Sequence, residues 1–286
     1  MKLSKRRALL LLIAASFAAF TPQSGIAKTQ INAPEGRLVF GFLPIVSTQK
    51  LVARFGPMAD YLAKKLGRPV KFETAPGYAE FTRRTNSEKR YDILFTAPHF
   101  YYSAQRQAGY QVVARVNAPK MRAIIVAPRT SNIKSIADLR SHKLAIPDRL
   151  SLGALLIRKH FSQAGLNPGK DVQLVETPSH NAALLSAYKG ITDAAGLMIP
   201  PYRVASEKIR NKMHIIATTQ GTPHMPISVA SRLSAREKAR IKQVLLGMRS
   251  DEEGKKLLQH MSWPGFVSTN SSEYDQMEWA ADLIKM

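Results

Sequence analysis

Apolar residues along the chain follow two alternating patterns, one typical of buried strands and one typical of amphipathic helices. The continuous apolar run RLVFGFL at residues 37–43 predicts a buried strand. Apolar positions at three- and four-residue spacing predict a helix over residues 51–66, which Gly67 and Pro69 end. Strands and helices keep alternating along most of the chain. The pattern therefore predicts α/β layers with largely parallel sheets.

The remaining elements follow from the same two patterns. The predicted strands cover residues 70–74, 92–95, 110–116, 122–127, 143–146, 172–175, 193–197 and 214–217. The predicted helices start near residue 78 and cover residues 98–108, 135–139, 151–164, 179–189, 200–209, 234–248, 251–260 and 272–285. The pattern predicts no strand after residue 217.

The N-terminal segment has the order of a secretory signal. Four basic residues within the first seven precede an apolar run of 13 residues at 8–20, and the small residues Gly25 and Ala27 follow. The run is shorter than the about 20 residues of a membrane span, which disfavours the alternative of a retained anchor. We expect residues 1–27 to be a cleavable signal peptide and the protein to reach the periplasm. The chain has no Cys, which excludes lipid attachment, disulfides and thiolate chemistry.

The remaining chain is long enough for two lobes. The segments at residues 117–120 and 221–226 read as irregular connections. They predict a first lobe built from residues 28–117 and 222–286, the latter with the C-terminal helices, and a second lobe built from residues 118–221. Two crossings between lobes form a hinge suited to closure around a ligand.

The chain is strongly basic, with a formal net charge of +22, and removal of the four basic residues of the signal leaves +18. One interpretation is a protein that binds nucleic acid or an anionic membrane. The other is a basic surface with an anionic ligand. Basic residues are dispersed, no nucleic-acid motif is present, and export argues against nucleic acid, so we favour the second. We expect a monomer that meets the membrane only through a partner.

Six segments, in this order and spacing, resemble a known family. They are FGFLP, MADYLAKKLGRPV, GYAEF, YDILFTAPHFYYSAQRQAGY, SNIKSIADLRSHKLAIPDRLSLGALL and SHNAALLSAYKGITDAAG. Together they resemble the phosphate/phosphite/phosphonate-type periplasmic solute-binding proteins, up to about residue 226. The resemblance implies a two-lobed type 2 periplasmic binding fold of the α/β class, with a double-crossing hinge and a ligand cleft between the lobes. It also implies delivery of a small oxyanion to an ABC importer or, alternatively, presentation of a ligand to a membrane sensor kinase.

The resemblance places a ligand-binding loop at the start of a long helix in the second lobe. The family has Ser-Thr-Ser-Gly there, whereas this chain has Leu150, Ser151, Leu152 and Gly153. Free N–H groups at a helix start favour anions. Ser151 either contacts the ligand or only caps the helix. The leucines, together with Met225 at a hinge position where the family has an acid, suggest a different or less polar anion.

The resemblance implies five further ligand-binding residues. Ser179 and His180 match a Ser-His signature at a helix start, where Ser179 can cap and His180 can donate to an anion. Tyr78 follows the second strand and either offers its phenol to the ligand or packs between the lobes. Thr96 is a candidate donor. His99 either contacts the ligand or serves a capping or surface role.

Catalysis is the minor alternative. The seven His residues show no HxH or HExxH spacing, and the chain lacks a phosphate-binding glycine loop and a G-x-S-x-G elbow. We therefore expect a binding protein with no metal and no cofactor. An enzyme on the same fold would need a base and a nucleophile to meet in the cleft.

Overall fold

The computed structural model describes residues 36–281 and 284, so the predicted signal peptide at residues 1–27 lies outside the described residues. The strands are β1 Leu38–Phe42, β2 Val70–Glu73, β3 Ile93–Phe95, β4 Gln111–Val116, β5 Ala123–Pro128, β6 Lys143–Pro147, β7 Gln173–Thr177, β8 Ala194–Met198, β9 Met213–Thr218, β10 Pro226–Val229 and β11 Phe266–Val267. The α-helices are α1 Thr48–Phe55, α2 Pro57–Leu66, α3 Tyr78–Asn86, α4 Pro98–Ala108, α5 Leu152–Gln163, α6 His180–Tyr188, α7 Ile199–Arg203, α8 Glu207–Lys212, α9 Ala235–Gly247, α10 Glu252–Met261 and α11 Glu278–Ala281. Short 3₁₀ helices cover Ala137–Leu139, Met248–Ser250 and Ser271–Met277. In this part of the chain no helix is both long and apolar enough to cross a bilayer.

The strands form two mixed sheets. The first has the order β11-β4-β10-β3-β1-β2 and the second the order β7-β6-β8-β5-β9. In each sheet the strands joined by helices run parallel, whereas β10 pairs antiparallel with β3 and β4, and β5 pairs antiparallel with β8 and β9. The prediction of largely parallel sheets was therefore wrong. The first strand after each crossing between the sheets, β5 in the second sheet and β10 in the first, runs antiparallel to both of its neighbours.

Two neighbouring segments connect the sheets. The chain leaves the first sheet after Val116, reaches the second at Ala123, and returns between Thr218 and Pro226. Met121 and Thr222 exchange backbone hydrogen bonds of 2.9 Å in both directions. The two segments thus form a double-crossing hinge. The lobe boundaries at residues 117/118 and 221/222 stay a prediction.

Two of the predicted helices are each divided into two α-helices in the structure. The helix expected over residues 51–66 is α1 followed by α2, because Pro57 has no N–H to continue the first helix. The helix expected over residues 200–209 is α7 and α8, separated around Ala205. Strand β10, which the apolar pattern did not predict, is four residues long and fully buried.

Aromatic packing fixes the first sheet against its helices. The ring of Phe42 stacks on that of Phe55 at 4.5 Å and on that of Phe95 at 4.3 Å between centroids. Trp263 lies 4.8 Å from Phe95 and 5.0 Å from Phe55. This cluster joins β1, β3 and α1 to Trp263, which follows α10 near the C-terminal end of the described chain.

A buried carboxylate ties β1 to β3 and to the chain after β10. Asp92 accepts a hydrogen bond from the Val39 N–H at 2.7 Å and pairs with Arg232 at 2.7 Å. Asp193 accepts the Lys143 N–H at 2.7 Å at the matching place in the second sheet, but it is much more exposed. We expect Asp92→Ala to lower the free energy of unfolding by about 3 kcal/mol, because it leaves a half-exposed guanidinium and an amide without their partner. Urea denaturation measures this loss.

The control is Asp193→Ala, which should cost about 1 kcal/mol because water replaces the exposed carboxylate. Equal losses for the two variants would contradict the assignment of the larger effect to burial.

Candidate functional site

Four helix starts meet at the opening between the two sheets. Helices α3 and α4 follow β2 and β3 of the first sheet, and α5 and α6 follow β6 and β7 of the second. Residues at or near their first turns, Tyr78, His99, Leu152 and His180, line one cavity of about 60 Å³. In α/β proteins the crevice beyond the carboxyl ends of the strands is the usual place for a ligand. The positive ends of the four helix dipoles favour negative charge there.

Both sheets and the hinge contribute to the cavity wall. The lining residues are Leu43, Ile45, Tyr78, Ala97, His99, Phe100, Met121, Ser151, Leu152, Gly153, His180, Met198 and Met225. Six of the eight candidate residues from the sequence are therefore brought together here. Thr96 and Ser179 do not line the cavity.

The start of α5 presents unpartnered backbone donors. The hydroxyl of Ser151 accepts the Ala154 N–H at 3.2 Å, so its capping role is present in the structure. The N–H groups of Leu152 and Gly153 donate to none of the described residues, as expected in a first helical turn. Ser151 is also buried in the cavity wall. Its hydroxyl proton and these two N–H groups are available to a bound oxyanion.

Gly153 allows α5 to approach the facing helix start. A Cβ atom at this position would lie 3.0 Å from Cε1 of His180 and 3.5 Å from Cγ of Met198. Only a residue without a side chain leaves the imidazole of His180 and the methionine in their present places.

His180 is a neutral hydrogen-bond donor. Its Nδ1 accepts the Met198 N–H at 3.4 Å, which leaves the ring proton on Nε2. Burial lowers the pKa of His180 to about 4, so the ring is uncharged at neutral pH. The imidazole can donate to a ligand oxygen without adding a charge to the cleft.

His99 connects the two sides of the cleft. Its Nε2 lies 2.9 Å from the carbonyl oxygen of Leu150, so the first lobe donates to the loop before α5. Burial lowers the pKa of His99 to about 4, and the ring is completely buried. Its Nδ1 has no partner among the described residues. In the neutral ring this atom is an unused acceptor.

Tyr78 completes the polar part of the wall. Its ring lies 5.7 Å from that of Phe100. Burial, and to a lesser degree the carboxylate of Asp148, raises the pKa of Tyr78 to about 12, so the phenol keeps its proton. The side chain therefore packs against a helix of its own lobe and lines the cavity, and its contact with a ligand stays a prediction.

The two candidate residues that do not line the cavity are Thr96 and Ser179. Thr96 is completely buried beyond the end of β3, and its hydroxyl has no partner among the described residues. Ser179 is exposed and caps α6 by accepting the Ala182 N–H at 3.1 Å.

Most of the apolar lining was not predicted as part of the site. Leu43 directly follows β1, and Met198 ends β8. Their position at the carboxyl ends of predicted strands was the available signal. Phe100 and Met121 had no such signal, because the first lies inside a helix and the second in the hinge.

A second, larger cavity of about 130 Å³ lies at the other end of α5. Its wall includes Lys159, Gln220 and Trp279, and the Lys159 ammonium lies 4.3 Å from the Trp279 ring centroid. It contains none of the four helix starts and none of the candidate residues. Among residues 36–281 and 284, no three His, Asp or Glu side chains are grouped so as to hold a metal ion.

The fold and the cleft define a type 2 periplasmic binding protein, and comparisons with known proteins give the family. The family model described as "ABC transporter, phosphonate, periplasmic substrate-binding protein" matches residues 40–274. The chain therefore belongs to the phosphonate-type periplasmic substrate-binding proteins of ABC transporters.

Solved structures share the fold at low sequence identity. The binding protein component of an ABC phosphonate transporter from Pseudomonas aeruginosa is 20% identical, with 86% of each chain covered and a TM-score of 0.74. PhnD1 from Prochlorococcus marinus, in complex with methylphosphonate, is 18% identical, with 86% of this chain and 97% of that chain covered and a TM-score of 0.75. The aliphatic sulphonate binding protein SsuA from Escherichia coli is 20% identical, with 86% and 91% covered and a TM-score of 0.62.

Proposed function

We propose that the protein is the periplasmic solute-binding component of an ABC importer and closes its two lobes around a small oxyanion. The observation that carries this proposal is the meeting of four helix starts at one cavity between the lobes. Unpartnered N–H groups at helix starts bind anions. Membership of the substrate-binding family supports the role in transport, and the permease of the importer is the proposed partner.

Closure follows from contacts that exist only when the lobes meet. A ligand first contacts Tyr78 on the first lobe. Closure then adds the α5 N–H groups and the Nε2–H of His180 from the second lobe. The hydrogen bond between His99 and the Leu150 carbonyl also forms only in the closed state. A ligand shifts the equilibrium toward closure by the extra contacts that it makes there.

A thermal-shift screen of the exported protein tests the proposed function. The compounds are phosphate, phosphite, methylphosphonate, sulfate, alkylsulfonates, nitrate and small carboxylates. A ligand that binds only the folded protein raises its melting temperature in proportion to the logarithm of its concentration. Stabilisation by at least one of these anions is the expected result. The absence of any shift, across all the anions, would contradict the proposal.

His180→Ala should weaken binding of the anion found in that screen by about tenfold or more, because one cleft donor is lost. Isothermal titration measures the change. His260→Ala is the control: its exposed ring contacts the Ala53 carbonyl, away from the cleft, and its removal should leave affinity unchanged. Unchanged affinity in the His180→Ala protein would rule out the proposed role of this residue.

A further inference from the structure

The lining of the cleft carries no formal charge. All thirteen lining residues belong to the described part of the chain, and the titratable ones are Tyr78, His99 and His180. All three are neutral near pH 7, for the reasons of burial given above. The one carboxylate that acts on a lining side chain is that of Asp148, which raises the pKa of Tyr78. A ligand with two negative charges would meet helix dipoles but no cation in the wall.

Apolar side chains make up much of the wall. They come from both lobes and from both hinge segments: Leu43, Ile45, Phe100, Met121, Met198 and Met225. Methionine is flexible and polarizable, so three methionines can adapt to an apolar group of variable shape. A dianion loses more hydration against such a surface than a monoanion does. An alkyl group, by contrast, is stabilised when this surface removes it from water.

The two histidines differ in which ring nitrogen is left without a partner. The backbone of Met198 occupies Nδ1 of His180, which makes its Nε2–H the free donor. The carbonyl of Leu150 occupies Nε2–H of His99, which makes its buried Nδ1 the free acceptor. The cleft therefore offers a ligand head one imidazole donor and the N–H groups at the start of α5, and none of these donors carries a charge. A head with one negative charge loses less hydration on entering such a site than a head with two.

We propose that this cleft selects an organic oxyanion with a single negative charge and an apolar body, in preference to a fully ionised phosphonate or phosphate. The inference deepens the proposed solute-binding function and rests on it. The helix starts and His180 hold the charged head. The apolar wall, with its methionines, holds the body.

The test compares alkylsulfonates with alkylphosphonates of equal chain length. Both heads are tetrahedral, but near pH 9 the sulfonate carries one charge, whereas the phosphonate, which loses its second proton around or above neutrality, carries two. Isothermal titration of the exported protein with the methyl, propyl and hexyl members measures both series. At each length we expect the sulfonate to bind about tenfold tighter or more. From methyl to propyl, affinity should rise about fourfold per methylene. Phosphonate binding should also improve toward about pH 6, where one proton returns.

Two variants introduce polar groups that the cavity wall lacks. Met225→Lys supplies a cation and Leu152→Thr supplies a hydroxyl donor at the start of α5. Each should shift the preference toward the phosphonates by about tenfold, provided its melting curve shows a folded protein. Val204→Lys is the control, because Val204 is 85% exposed and lies outside the cleft, and it should leave the order of affinities unchanged.

The outcomes separate the inference from the proposed function. Tighter binding of methylphosphonate or phosphate than of every sulfonate overturns the inference and leaves a solute-binding protein. Failure of both series and of all other oxyanions in the thermal-shift screen overturns the proposed function as well.

Discussion

Replacing Gly153 with valine is expected to abolish ligand binding while the protein still folds. The site for a Cβ is 3.0 Å from Cε1 of His180 and 3.5 Å from Cγ of Met198, so valine would crowd two side chains of the cavity wall. Gly153 lines the cavity at the start of α5, so the substitution takes space beside the N–H groups that the head of the ligand needs. We expect an affinity loss of about 100-fold or more, measured by isothermal titration with the anion that stabilises the natural protein.

Two comparisons make this prediction specific. Gly153→Ala should weaken binding less, because its methyl group meets a side chain that can shift by a few tenths of an ångström. Gly247→Val changes a glycine near the end of a helix where no atom lies within 4 Å of the added Cβ, and it should leave binding unaffected. If Gly153→Val binds the ligand normally, the cavity between the lobes is not the binding site.

The succession of strands and helices could be predicted from apolar spacing, because each element of this fold buries one face. Helix α4 was predicted over residues 98–108 and is observed as Pro98–Ala108, where a proline marks the start and Gly109 the end. What spacing could not predict were features set by tertiary contacts. Strand β10 is only four residues long, and its place between β3 and β4 depends on a return from the other sheet.

The residues of the candidate site could be predicted where they lie at the start of a helix. Tyr78, His99, Leu152 and His180 all stand in first turns, and helix starts can be located from the sequence. The resemblance gave Thr96 as a candidate donor, but the residue is not part of the cavity wall, because side chains along a strand alternate between the two faces of the sheet and the resemblance does not give the face. The methionines of the wall could not be assigned as a group, because they come from β8 and from both hinge segments.

The buried, neutral histidines make the stability of the folded protein depend on pH. His99 and His180 have a pKa of about 4 in the folded protein because burial disfavours the charged ring. An unfolded histidine titrates near 6.5. Between these two values the unfolded chain binds more protons than the folded one, so the free energy of unfolding falls as the pH falls. His224, whose pKa is also lowered to about 4 by burial and by Arg115, acts in the same direction.

We therefore expect the ligand-free protein to be most stable above about pH 6.5 and to lose about 2 kcal/mol per buried histidine by about pH 5. For three histidines in a chain of this size the melting temperature should fall by about 10 to 20 °C across that window. Differential scanning calorimetry between about pH 7.5 and pH 5 measures the slope. Carboxylates contribute little there, because their ordinary pKa values lie below the window.

His99→Gln isolates one of the three contributions. The glutamine amide can still donate to the Leu150 carbonyl, but it does not titrate, so the fall in melting temperature between the same two pH values should shrink by about a third. An unchanged slope in this variant would mean that burial does not hold the His99 ring neutral in the folded protein. A reduced slope would show that the buried ring resists protonation and contributes to the loss of stability in acid.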